Sequence, residues 1–399
     1  MSSPFAALSA RLASDDIGLG PAVLAASVLS CLGLGTFLLL PTLVEAAASD
    51  LHFSEWQLGI LSAVLSGGTM LAGLVAPLWI RSVSWQWAAA LALGGLAAAN
   101  AAALAIHGFA GFCALEGLVG FFGGSLYSLS LTVLSDAKRP DRAFTCAVGA
   151  QTIYQALALV AGPFLIASGG MNGVLAFFVA ISAAGLLLVR ALPVHGHGGD
   201  VSHGPVGALL TVPVMLALAG CFLFYVNIGA FWTYIDPIGR SAGLSAGAIA
   251  NALAAATAAS FLGVILTYAL GIRAGYGWPI AVSALAIALS VGVLWVPPTL
   301  LVLFLSNSVY AICWNVSMTY QYSAVNHVDT SRRAVALAPS FHNAGSAVGP
   351  AIAAYAVGPG NFTGVLWLVC GSVTVSAAYF GLALQYRGRQ AARPERPLR

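Results

Sequence analysis

Apolar residues in this chain come in runs of about 20 or more, the length that crosses a hydrocarbon core as a helix. A few polar or turn-forming residues end each run, and none shows the strict alternation of a half-buried strand. Twelve spans are expected, near 20–47, 57–80, 86–106, 110–134, 143–167, 172–192, 208–235, 246–271, 277–296, 299–322, 333–357 and 362–385. In lipid only helices and closed barrels satisfy the backbone, and continuous apolar runs are not a barrel's pattern. Ala46-Ala47-Ala48 mimics a signal-peptidase site, but the run before it far exceeds a signal core of about 7–15 residues. It is therefore read as a retained first span. The expected class is an all-α membrane protein with twelve transmembrane helices.

The pattern repeats. Leu40-Pro41-Thr42-Leu43-Val44-Glu45 closes the first run, and Ser54 opens the second. A shift of 191 residues carries Thr42 onto Thr233, Glu45 onto Asp236 and Ser54 onto Ser245. Trp87 then falls on Trp278 and Glu116 on Asn307, while Asp141-Arg142-Ala143 falls on Arg332-Arg333-Ala334. Further on, Gly162-Pro163 pairs with Gly349-Pro350 at 187, a slip of four. The expected organisation is an N-terminal six-helix bundle (1–195), a His/Gly-rich linker (196–207), a C-terminal six-helix bundle (208–386) and a basic tail (387–399).

Composition closes off a soluble reading. The 399 residues are 60% hydrophobic and 7% charged, with a mean hydropathy of +0.93, against about 25% charged in soluble domains. With twelve spans, the connections on one face and both termini hold 14 of the 15 Lys and Arg, leaving Arg240 on the other. That asymmetry places both termini, and the inner-loop residues Arg81, Arg142, Arg332 and Arg333, in the cytoplasm of a bacterial-type inner membrane. The six scattered cysteines form no CxxC pair, so neither a metal nor another cofactor is expected. His195, His197 and His203 sit in a glycine-rich linker where nothing fixes ligand geometry.

Over nearly its whole length the chain resembles the major facilitator superfamily. Gly73-x-x-x-Pro77-x-x-x-Arg81 is similar to the signature between its second and third helices, with Pro77 where an aspartate is usual. Cys113-Ala114-Leu115-Glu116-Gly117 is similar to an Arg-x-x-Gln-Gly element, with cysteine for arginine. Asn343 to Pro350 is similar to the matching segment of the drug–proton antiporter branch. The resemblance implies the major facilitator fold, with a substrate site near the midplane lined by spans 1, 4, 7 and 10.

Candidate chemistry is polar and mostly uncharged. Asn307, Tyr310, Trp314, Ser317 and Gln321 follow steps of three and four, which keeps them on one helical face. That face should look into protein or a water-filled cavity. Gln151, Tyr154 and Gln155 share a face of the fifth span, and Asn343 sits beside His342 on the eleventh. Tyr127, Tyr225 and Asn227 are further substrate-contact candidates. Glu116, about 8 Å inside its span at about 1.5 Å per residue, and His342 are the proton-coupling candidates, each with interhelical packing as the competing role. Glu45 and Asp236 are expected at the outer ends of spans 1 and 7, as an outer gate or as ordinary interfacial carboxylates. No Lys or Arg lies deep in a predicted span, which disfavours a strongly anionic substrate.

The expected function is secondary transport of a small neutral, aromatic, weakly acidic or cationic metabolite or drug, coupled to protons and carried out by a monomer. The alternatives are an uncoupled facilitator and a non-transporting receptor. No nucleic-acid partner and no enzyme activity are expected.

Overall fold

A computed structural model describes residues 20–106, 108–137, 140–195, 211–271, 275–329, 334 and 338–391, and these are helical almost throughout. Helix α1 is Pro21–Gly33, continued after two breaks by Gly35–Leu38 and Leu40–Ser49. Next come α2 (Glu55–Trp79), α3 (Trp85–Ala103) and α4 (Phe109–Ser135). Pro140–Gly185 loses helical geometry at Gly169 and Gly170, so α5 is 140–168 and α6 is 171–185. Then follow α7 (Val212–Ser241), α8 (Ala246–Ala259 continued by Phe261–Leu270), α9 (Gly277–Gly292), α10 (Leu300–Val328), α11 (Ala338–Ala356) and α12 (Thr363–Ala391). Among the described residues eight stretches are long and apolar enough to cross a membrane, and one of them, Cys146–Ala191, holds most of α5 and all of α6. The helices follow the order of the twelve expected spans.

The differences from that expectation have local causes. Pro41 has no N–H to return to the preceding turn, so the first span breaks near Leu39. The linker at 196–207 lies outside the described residues, as do Arg332 and Arg333. Helices α7, α10 and α12 overrun their apolar stretches by several residues, because hydropathy reports lipid thickness and a helix can continue in water. The basic tail expected from 387 is accordingly helical as far as Ala391.

The chain divides into two compact units, Met1–His52 with Val64–Asp200, and Phe53–Ala63 with Val201–Arg399. In the first, α1 packs on α4 and α5, and α3 on α4 and α6. In the second, α7 packs on α11 and α12, α10 on α8 and α9, and α9 on α12. Lipid tails are as apolar as the side chains, so close backbone approach takes over the role of hydrophobic collapse. A Cβ added to Gly120 of α4 would collide with the Leu65 carbonyl oxygen, and one on Gly124 would lie 2.8 Å from the Thr69 Cα. Thr69 Oγ1 uses this proximity to donate to the Gly120 carbonyl at 3.2 Å. In the second unit Gly345 and Gly349 of α11 press on the α7 backbone at Phe222 and Val226.

The repeated serines also share a structural role. Ser54 and Gln57 bond each other's backbone N–H at the start of α2, a capping box, and Ser245 Oγ accepts from Ala248 N at the start of α8. Between α5 and α6 the chain reverses within Gly169-Gly170, where Gly170 adopts φ 57°. Asp50 Oδ2, from the end of α1, accepts the Met171 N–H at 2.9 Å and so caps α6.

Gly120→Val should push α2 and α4 apart and destabilise the detergent-solubilised protein by about 2 kcal/mol or more. Gly94→Ala, where nothing lies within 4 Å of the added carbon, should leave the melting temperature unchanged. Thermal unfolding of the two variants checks both expectations.

Candidate functional site

Each unit carries its own buried polar layer. In the second unit α10 presents the expected face, with Asn307, Tyr310, Ser317 and Gln321 all buried and Trp314 partly so. Tyr310 Oη donates to Asn227 Oδ1 of α7 at 2.9 Å, and Asn227 Nδ2 donates to the Phe224 carbonyl at 3.0 Å. The Tyr310 ring stacks on Phe231 with centroids 4.3 Å apart. Asn307 turns back to its own helix, donating to the Leu303 carbonyl.

Nearer the C-terminal end of α10 the layer becomes an aromatic cluster. Tyr225 of α7 donates to Met318 Sδ at 3.5 Å and stacks on His342 of α11 at 4.0 Å with 15° between the rings. Tyr322 Oη lies 3.2 Å from His342 Nδ1. Gln321 Nε2 donates to Ser317 Oγ at 2.9 Å. Three atoms here are buried without a hydrogen-bond partner: Trp314 Nε1, Gln321 Oε1 and His342 Nε2. Asn343 is half-buried and enters none of these bonds. Met318 and Tyr322 were not singled out from the sequence; their spacing of four, one residue beyond Ser317 and Gln321, is the signal that would have found them.

In the first unit Gln151 of α5 donates to Ser30 Oγ of α1 at 3.0 Å, linking the two helices. Gln155 Nε2 reaches the Leu38 carbonyl at 3.4 Å, beside the break in α1. Tyr154 Oη is buried without a partner near Gly35, where a Cβ would sit 2.9 Å from it. Ser30, also missed from the sequence, is spaced three from Ser27 and donates to its carbonyl.

The carboxylates are more enclosed than expected. Glu116 is 0% exposed, and neither of its oxygens has a hydrogen-bond partner. It lies seven residues into α4, about 10 Å along the axis instead of the expected 8 Å. Glu45 and Asp236 are not at helix ends. They lie four residues before Ser49 and five before Ser241, and are 5% and 4% exposed. Both helices continue past their apolar runs, so about one further turn follows each carboxylate. Beyond the ends of α2 and α4, Arg81 Nη2 pairs with Asp136 Oδ1 at 3.3 Å. The start of α5 carries Arg142, whose side chain lies outside the described residues.

The sequence profile described as Major Facilitator Superfamily matches residues 25–338. The chain belongs to the Major Facilitator Superfamily. No curated protein matches it in sequence. A crystal structure of the nucleoside transporter NupG superposes with a TM-score of 0.70 at 17% identity, covering 93% of this chain and 99% of that one. A bacterial homologue of the human lysosomal transporter Spinster, in an inward-facing and unoccupied conformation, gives 0.66 at 14% identity, covering 97% of each. At these identities the likeness is one of fold. The chain is thus a multi-pass membrane transporter of the Major Facilitator Superfamily, and not an enzyme. In this superfamily member Pro77 occupies the usual aspartate position of the signature, and Arg81 takes Asp136 at the end of α4 as its partner.

The Asn227–Tyr310 bond joins α7 to α10 in a buried setting. A double-mutant cycle with Asn227→Leu and Tyr310→Phe should give a coupling of about 0.6–2 kcal/mol in unfolding measurements. Arg81→Ala removes a partly exposed pair and should cost no more than about 1 kcal/mol.

Proposed function

We propose that this protein is a proton-coupled secondary transporter of a small, ring-bearing metabolite or drug, working by alternating access between its two six-helix halves. The observation that carries the reading is the chemistry of the two buried layers. The first is built from Tyr, Gln and Ser, the second adds Trp, Asn and His, and every described Lys and Arg lies at or beyond a helix end. A strongly charged anion would find no countercharge there, whereas neutral, aromatic, weakly acidic or cationic solutes would. The drug–proton antiporter branch, to which Asn343–Pro350 is similar, handles solutes of this description. Nucleosides, the substrate named for one structural neighbour, belong in the first panel of test compounds.

Glu116 is the coupling residue we favour. A carboxylate with no partner in a helix bundle bears a large desolvation cost that a bound proton removes, so loading and release can alternate with the state of the carrier. His342 is the second candidate. The enclosed pair Glu45 and Asp236 is assigned to the outer gate, and the protein is placed in a bacterial-type inner membrane as a monomer with both termini cytoplasmic. Cys113 and Pro77 stand where a coupling arginine and an aspartate are usual, which favours an uncoupled facilitator as the second reading.

Proteoliposomes with an imposed pH gradient separate the two. Under coupling, substrate accumulates above equilibrium, a protonophore abolishes the accumulation, and Glu116→Gln retains exchange but loses uphill uptake. Indifference to the protonophore, together with full activity of Glu116→Gln, establishes the facilitator. Alanine at both Glu45 and Asp236 should change labelling of the outer mouth by a membrane-impermeant thiol reagent at introduced cysteines; unchanged labelling and transport remove the gate assignment.

A further inference from the structure

Buried polar atoms in folded proteins almost always have partners, so the three orphans on α10 and α11 call for an explanation. Trp314 Nε1, Gln321 Oε1 and His342 Nε2 are such atoms, and His342 and Gln321 are 3% and 0% exposed. The remaining polar atoms of these side chains are spoken for, which gives each orphan a definite character. Gln321 uses its amide N–H on Ser317, leaving Oε1 as an acceptor. His342 Nδ1 faces the Tyr322 hydroxyl at 3.2 Å. With the phenol donating and the imidazole nitrogen accepting, Nε2 carries the ring hydrogen. An indole nitrogen only donates. The three orphan atoms are thus two donors and one acceptor, and stacking on Tyr225 holds the imidazole plane.

Charge restricts the occupant further. Helices α10 and α11 contain no Lys or Arg, and that of α7 is Arg240, in its last turn. An anion would lack a countercharge; a cation would face two donor hydrogens, the carboxylate of α7, Asp236, lying eleven residues along that helix from Tyr225. We propose that Trp314, His342 and Gln321 read the polar edge of a neutral planar heterocycle bearing ring carbonyls and a ring N–H, the donors taking the carbonyls and Gln321 taking the N–H. This rests on the reading that the unit carries the solute site, and it narrows that reading to one substrate chemistry.

The test uses full-length protein in nanodiscs titrated with uracil, its N,N′-dimethyl derivative, benzoate and benzyltrimethylammonium. Uracil should bind saturably, and the dimethyl compound, which keeps the carbonyls and loses the N–H groups, about tenfold more weakly. Gln321→Leu should bring uracil to the level of the dimethyl compound and leave the latter's affinity unchanged. Trp314→Phe and His342→Phe should weaken both compounds by about tenfold, and His342→Gln, which restores a donor, should recover binding. Melting temperatures identify any variant that fails to fold, and such a variant is set aside in favour of the remaining two positions. Tighter binding of benzoate or of the ammonium compound overturns the proposal. So does the absence of saturable binding by all four, the result for a site filled only by water. Binding of uracil without flux in liposomes overturns the transport reading alone, whereas flux of a neutral ring indifferent to these substitutions overturns this assignment alone.

Discussion

In a bilayer the solvent gives helices no reason to associate, so the structure depends on how nearly two backbones can touch. Glycine sets that distance. The contact of Gly120 and Gly124 with α2, and that of Gly345 and Gly349 with α7, are the same device in the two units. Close approach brings hydroxyls and amides within reach of neighbouring backbone, and the bonds of Thr69 to the Gly120 carbonyl and of Ser376 to the Gly220 carbonyl follow from it. The polar layers could not form between helices held apart by larger side chains.

Where the helical ladder is interrupted, side chains take over. Pro41 removes a backbone donor from the first span, and Gln155 from α5 reaches the carbonyl of Leu38 beside the gap. Asn315 does similar work in the other unit, donating to the Ser260 carbonyl at 3.1 Å where α8 is divided. Both breaks face protein and not lipid, which is the one place irregular backbone is tolerated at that depth. Polar residues in the spans thus divide into those that mend backbone, those that bond one another, and a few that do neither. Glu116, Trp314 and the Nε2 edge of His342 belong to the last group, and chemistry is expected there.

Much of this was legible in the residues. Apolar run length located the helices, and the 191-residue shift located a structural equivalence, since Ser54 and Ser245 both cap the helix that follows them. The three-and-four spacing from Asn307 to Gln321 identified a buried face. What periodicity does not carry is the identity of a partner. It could not show that Asn307 bonds its own turn while Tyr310 crosses to Asn227, or that Tyr322 and Met318 belong beside His342. Nor does hydropathy mark helix ends, because helices run past the lipid; Glu45 and Asp236 therefore lie deeper within their helices than the apolar pattern suggested.

The two-glycine reversal between α5 and α6 also bears on how the chain is assembled. Helices joined so tightly leave no connecting loop, a geometry suited to entering the bilayer as one hairpin. The acceptor that caps the new helix is Asp50, a residue synthesised 121 positions earlier, at the end of α1. The order of synthesis thus matches the order of contacts: the carboxylate is made before the N–H that it caps.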